Sequence, residues 1–186
     1  MADTFAPFAG AMLLCLDLQP VFLKAIQDRE RLLKRCAFAV SAAQGLGLQV
    51  AFTEQLPQKL GGTQPELIGV VKDPVLYSKS TFSAFADDGI SDAIKAADVE
   101  HLILCGVETP ICIYQTALDA VDNNLQVTIL SDAIGARRAE DAQICLESLA
   151  RHNVYVLPSE TVFYSLVQGA HHPFFKGLTE LVKKYG

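Results

Sequence analysis

The sequence predicts an α/β fold: a three-layer, doubly wound, mostly parallel sheet with helices on both faces. Three observations carry that reading. Continuous apolar runs of strand length recur, as strands covered on both faces require. Segments with apolar residues at helical spacing separate them. The two kinds of segment alternate along most of the chain at the pace of βαβ units.

Ala11 to Leu16 is the first such run, with Asp17 at its carboxyl end. Leu18-Gln19-Pro20 breaks it, and a helix is expected from about Phe22 to Gln44, with Leu32, Leu33, Cys36, Ala39, Val40 and Ala43 inward and Gly45 closing it. Leu48 to Thr53 reads as the second strand, rich in β formers and bounded by Gly47. From Glu54 to Pro74 no period survives Pro57, Gly61, Gly62, Pro65 and Pro74. A loop of that length is expected to form a wall or lid of a site. Val75 to Ser78 is a short extended piece leading to Lys79, and a helix opens at Asp87-Asp88 with Ile94 inward. His101 to Cys105 is the central strand. Thr109 as N-cap and Pro110 at the first helical position then start a helix to about Asn123, carrying Ile111, Tyr114, Leu118 and Val121. Gln126 to Leu130 is a strand ending at Ser131-Asp132. A helix from about Ala139 to Arg151 is expected to present Ile144, Cys145, Leu149 and Ala150, followed by a last strand at Val154 to Val156 and helices at Thr161 to Gln168 and Phe174 to Lys184.

With 186 residues, 51% of them hydrophobic, the chain has material for one substantial core, so residues 1–186 are read as a single domain. A net charge of -6 with 15 scattered Lys and Arg leaves no basic footprint for nucleic acid. A small-molecule substrate is the expected partner. The five Cys form no C-x-x-C pair, which points to free thiols and a reducing compartment. Met1 to Gly10 lacks a basic n-region, and the first apolar run is too short for a membrane span. The expected location is the cytoplasm, with mitochondria as the alternative. High hydrophobicity without a membrane segment suggests a homo-oligomer, a dimer or higher.

In an open sheet of this kind ligands bind outside the carboxyl ends of the strands. Asp17, the turn before Cys112, and Asp132 all fall there. The helix start at Thr109 puts Cys112 in a first turn, where the helix dipole favours a thiolate and unpaired N–H groups can receive a developing anion. Alone, Cys112 reads more readily as a small buried residue under a helix start than as a nucleophile. A carboxylate and an amine change that. Asp17 can accept the thiol proton and later activate water, and Lys79 can favour the thiolate and hold the geometry. Cys15, Cys36, Cys105 and Cys145 read as packing residues. Phe82, Phe85 and Tyr114 are candidate pocket residues, with Gln19 and Thr109 beside them, and Asp132 is expected to support the site.

Asp17-Leu-Gln19 after the first strand, Lys79 in Ser-Lys-Ser-Thr-Phe-Ser-Ala-Phe, and Gly106-Val-Glu-Thr-Pro-Ile-Cys112 followed by Gln115-Thr-Ala resemble the isochorismatase-like cysteine hydrolases, over about Met12 to Leu157. The resemblance implies a catalytic triad of Asp17, Lys79 and Cys112, a cis peptide between Val107 and Glu108, and an oxyanion hole from backbone N–H groups around Val107, Glu108 and Cys112. Metal-binding relatives carry an Asp-x-His pair after the second strand. Here that region reads Thr53-Glu54-Gln55-Leu56-Pro57, and no His occurs among residues 1–100, so no metal and no cofactor are expected. The four His, at 101, 152, 171 and 172, lack zinc-site spacing.

The resemblance therefore implies a metal-independent cysteine hydrolase that cleaves a small amide or related C–N bond through a thioester on Cys112, of the short branch without metal ligands. A non-catalytic scaffold that keeps the fold and a reactive thiol is the alternative. A dinucleotide-binding dehydrogenase fits poorly, because the first strand-to-helix turn, Asp17-Leu-Gln-Pro-Val21, has no glycine fingerprint.

Overall fold

The computed structural model describes residues 10–186, and the reading of the N-terminal segment as free of targeting signals lies, for its first nine residues, outside the described residues. The chain forms β1 (Ala11–Leu16), α1 (Pro20–Leu23), α2 (Arg29–Gly45), β2 (Gln49–Gln55), α3 (Pro57–Leu60), α4 (Pro65–Ile68), β3 (Val75–Lys79), α5 (Asp88–Ala96) and β4 (His101–Val107). A π-helical turn, Thr109–Ile113, leads into α6 (Tyr114–Asp122), followed by β5 (Gln126–Gly135), α7 (Ala139–Ala150), β6 (Val154–Leu157), α8 (Ser159–Val167) and α9 (Phe175–Tyr185). The six strands make one sheet in the order β3-β2-β1-β4-β5-β6, every neighbouring pair parallel. This is the doubly wound α/β fold.

Every residue of β1 is buried, because helices cover both faces. Leu13 and Cys15 belong to the core under α2, α8 and α9, whereas Met12, Leu14 and Leu16 belong to the core under α5, α6 and α7. The strand order reverses direction at β1 and β4, so the chain leaving β1 and the chain leaving β4 diverge to opposite faces and open a crevice between them. Among the described residues, no helix is long and apolar enough to cross a membrane.

Several local expectations are corrected. The first helix is split into α1 and α2, because Pro20 starts a short turn and the chain breaks before a new start at Asp28. The segment from Glu54 to Pro74 is not a bare loop. The prolines that erase its periodicity start two short helices, α3 and α4, and β2 runs on to Gln55. In α7 the buried position is Leu149, while Ile144 is 67% exposed and Ala150 faces solvent, so the helix packs through a stripe rotated from the expected one. Thr109 does not cap a helix with its side chain. Its hydroxyl donates to the Gly135 carbonyl and ties the turn to β5 instead.

Gly106 bends the end of β4 over the crevice. It has φ +116°, and a Cβ there would stand 2.1 Å from the Leu16 carbonyl oxygen of β1. The β4–β5 register shifts between Leu104 and Gly106, so the glycine also occupies a bulge. Both the close approach and the backbone angle demand glycine. Gly106→Ala is expected to cost at least ~3 kcal/mol of stability through positive-φ strain and the backbone clash together. Chemical denaturation measures it, and a loss below ~1 kcal/mol would show that the strands part easily.

Candidate active site

Register determines which side chains can meet at the crevice. Thr53 pairs with Leu16 and Gln55 pairs with Lys79, so the last three residues of β2 bridge the end of β1 to the end of β3. Asp17, the first residue past β1, has φ +50°, a left-handed conformation that Asp tolerates better than most residues. Its Oδ1 accepts from the Thr53 hydroxyl at 2.7 Å and its Oδ2 accepts from Lys79 Nζ at 2.7 Å. The pair is buried, with side-chain exposure of 0% for Lys79 and 2% for Asp17.

Lys79 is held by more than its partner carboxylate. Nζ also donates to Gln55 Oε1 at 2.7 Å and lies 3.1 Å and 3.2 Å from the carbonyl oxygens of Thr81 and Phe82. The loop after β3 thus curls around the ammonium. That loop is pinned to α6, since the Ala84 N–H donates to the Thr116 hydroxyl. A buried cation without such a shell would be costly.

Cys112 lies in the π turn after β4, with the Ile113 N–H donating to the Glu108 carbonyl across the widened turn. Single π turns of this kind recur at functional sites. The peptide between Val107 and Glu108 is cis. Cys112 Sγ stands 3.9 Å from Lys79 Nζ and within hydrogen-bonding reach of the Asp17 carboxylate. Its thiol is pushed up to about 12, first by burial and then by the Asp17 charge, against the smaller opposing pull of Lys79 and a hydrogen bond from the Glu108 backbone. The expectation of a favoured thiolate is therefore corrected. Near neutral pH the sulfur keeps its proton, with the Asp17 carboxyl group beside it.

A cavity of about 290 Å³ opens onto this sulfur. Phe22, Leu56, Leu60, Phe82, Val107 and Ile111 form its apolar walls, and Asp17, Gln55, Glu108 and Cys112 complete the lining. Phe82 and Leu56 stand at the rim, 57% and 38% exposed. The Glu108 carboxylate is engaged from outside by Arg137, whose Nε lies 3.0 and 3.1 Å from its oxygens and whose backbone N–H donates to it as well.

The structure brings Asp17, Lys79, Cys112, Phe82, Val107 and Glu108 to one site. It places the other candidates elsewhere. Gln19 does not face the cavity, since its amide is consumed by the Gln55 backbone N–H and C=O and the Gly61 carbonyl, bracing the segment behind the wall. Phe85 is buried in the core of the α5 and α6 layer, and Tyr114 points away to bond the Ser148 hydroxyl. Thr109 serves β5. Asp132 receives Arg35 Nε and both the N–H and the hydroxyl of Ser159, so it caps α8 on the other helical layer. Cys15, Cys36 and Cys105 are core residues. The Cys15 and Cys105 sulfurs are 3.4 Å apart; burial first pushes the Cys15 thiol up, and the contact with Cys105 followed by burial pushes the Cys36 thiol up.

The Glu54 to Pro74 segment does wall the cavity through Gln55, Leu56 and Leu60, as expected, but no reading of individual residues singled out Thr53, Gln55, Leu56, Leu60, Phe22 or Ile111 for the site. The signal available for Thr53 and Gln55 was their position at the end of a strand adjoining Asp17. For Leu56 and Leu60 it was hidden by the prolines and glycines around them. Among the described residues, no three His, Cys, Asp or Glu side chains gather as metal ligands would.

The family model described as the isochorismatase domain matches residues 11–161. Isochorismatase domain-containing protein 2 of Bos taurus is 35% identical over 179 residues, covering 96% of this chain and 85% of that protein. The solved structure of the MAR1 ribonuclease from Caenorhabditis elegans superposes with a TM-score of 0.87 at 28% identity, over 93% of this chain and 89% of the other. The YcaC gene product of Escherichia coli, described as an octameric hydrolase of unknown specificity, matches with a TM-score of 0.88 at 20% identity, over 94% and 87% of the two chains, a likeness of fold alone.

Proposed function

The chain belongs to the isochorismatase domain family, and from that premise we propose that it is a cysteine hydrolase whose Cys112 attacks the carbonyl of a small amide or related C–N compound. The observation that carries the reading is the thiol, carboxylate and ammonium of Cys112, Asp17 and Lys79 gathered at the base of one cavity.

The thiol starts protonated, so Asp17 takes its proton as the sulfur attacks the carbonyl carbon. The developing oxyanion is received by backbone N–H groups of the turn from Val107 to Cys112. Collapse of the tetrahedral species breaks the C–N bond, and the proton held on Asp17 passes to the departing amine. A water then gives a proton to Asp17 and attacks the thioester, releasing the acid as the proton returns to sulfur. Lys79 stays bonded to Asp17 throughout and holds that carboxyl group in place through the bonds described above. No step requires a metal ion or a cofactor.

The name ribonuclease given to the nematode structure is not carried over. A phosphodiester is held through free cations, whereas the cations beside this cavity are already paired, Lys79 with Asp17 and Arg137 with Glu108. Val75 and Leu76 on the outer strand β3 and Tyr155 on β6 remain exposed, apolar surface that a homo-oligomer would cover.

The test is capture of the intermediate. The protein is mixed with a library of small carboxamides, quenched in acid, digested and read by mass spectrometry. The expected result is an acyl mass on the peptide containing Cys112, absent from Cys112→Ala. Turnover of a library member that persists in Cys112→Ala would overturn the mechanism. A reactive Cys112 with no acyl adduct and no turnover of any C–N compound would favour the scaffold reading.

A further inference from the structure

The polar side chains lining the cavity are already committed to protein partners. Asp17 is bonded by Thr53 and Lys79. Gln55 spends its Oε1 on Lys79 and its Nε2 on the Ser80 carbonyl. Glu108 is engaged by Arg137 from outside the cavity. What remains for a ligand is the Cys112 sulfur, the backbone of its turn, and an apolar wall. A ligand group placed against that wall gains by losing water and by nothing else.

Charge points the same way. Of the ionised groups around the cavity, Asp17 and Glu108 are negative and already paired, and among the described residues the cation within reach of the sulfur, Lys79, is surrounded by oxygens. A substrate carboxylate would find, among the described residues around the cavity, no cation that is not already paired, and only the backbone N–H groups of the Cys112 turn to set against its desolvation cost. The volume of about 290 Å³ lies just below the usual range of small-molecule sites, roughly 300 to 1,000 Å³, which suits a small ligand.

Resting on the hydrolase reading for the position of the carbonyl, we propose that the group attached to that carbonyl is an uncharged apolar chain or ring, seated between Phe22, Leu56, Leu60 and Phe82. The substrate class is a small neutral aliphatic or aromatic carboxamide. Dicarboxylates and amides bearing a second acid group are rejected.

Two measurements separate this proposal from the reaction it serves. The first is binding of acetamide, butanamide, hexanamide and adipamate, the ω-carboxyl counterpart of hexanamide, to Cys112→Ala, read by calorimetry or ligand-observed NMR. Affinity is expected to rise about fourfold per methylene, the fold-change equivalent to ~0.8 kcal/mol for each buried CH₂, and adipamate is expected to bind at least ~100-fold more weakly than hexanamide. Equal affinity for hexanamide and adipamate, or no binding of hexanamide up to its solubility limit, overturns the proposal. The second is turnover of the same compounds by the unaltered protein. Preferential binding of hexanamide without hydrolysis of any amide would leave the apolar ligand class standing and remove the hydrolase reading. Hydrolysis of adipamate as fast as hexanamide would do the reverse.

Discussion

Asp17→Asn is expected to slow turnover by about 10²–10⁴-fold, the ordinary worth of a general base, while making Cys112 more reactive toward a simple alkylating agent. The two effects have opposite signs because Asp17 has two roles. Its negative charge and its hydrogen bond help hold the Cys112 thiol at about 12, while Lys79 pulls it down. Removing the negative charge leaves the Lys79 pull less opposed, and the thiolate becomes easier to form. In the unaltered protein, alkylation of Cys112 should climb about tenfold per pH unit from 7 to 11 with no plateau, since the thiolate fraction grows in that proportion below the midpoint. In Asp17→Asn the curve should shift to lower pH. Asn is the suitable replacement because it, too, accepts a left-handed backbone. The readout must follow the Cys112 peptide by mass spectrometry, because Cys145 is also partly exposed. A variant in which alkylation and turnover fall together would mean that the thiol is activated as an ion pair and not by proton transfer during attack.

Lys79→Met is expected to destabilise the fold by about 3–5 kcal/mol, the cost of breaking a buried ion pair from one side, and to abolish turnover. The pair is almost wholly buried, so loss of the ammonium leaves the Asp17 charge without its partner in a poorly solvated place. Gln55 Oε1 and the carbonyl oxygens of Thr81 and Phe82 lose their donor in the same step. For a chain of 186 residues each kcal/mol moves the melting temperature by roughly 2–4 °C, so a drop on the order of 10 °C is expected. The double variant Asp17→Asn/Lys79→Met should recover part of that loss without recovering activity, because a neutral carboxamide can still accept from Thr53 and no buried charge is left alone. Melting curves of the two single variants and the double one close the cycle. A Lys79→Met protein as stable as the parent would show that the pair is not buried in solution.

The sheet was legible because its causes are local. A strand covered on both faces needs an unbroken apolar run, and Ala11 to Leu16, Leu102 to Cys105 and Val127 to Leu130 supply it whatever the rest of the chain does. The segment around Pro57 and Pro65 was misread for an equally local reason. Proline erases a period whether it ends a helix or begins one. Phase errors followed where apolar residues outnumber the positions that can be buried, as in α7, where Ile144 carries the right chemistry on the exposed side.

The chemistry of the site divides in the same way. Asp17, Lys79 and Cys112 stand out in the sequence through residue type and position at element ends. The rule that ligands bind at the carboxyl edge of such a sheet gathers them there, but it gathers Asp132 as well, and it was the resemblance that singled out these three. Phe82 as a pocket residue and the Glu54 to Pro74 segment as a wall were legible, whereas the protonation state of the sulfur, the shell of oxygens around Lys79, and the meeting of Phe22, Leu56, Leu60 and Phe82 in one apolar wall were decided by tertiary structure. Each depends on burial and on register between strands distant in sequence, with Thr53 set against Leu16 and Gln55 against Lys79. A residue's pattern reports its own helix or strand, whereas the energy of a charge or a cavity is set by every atom that excludes water from it.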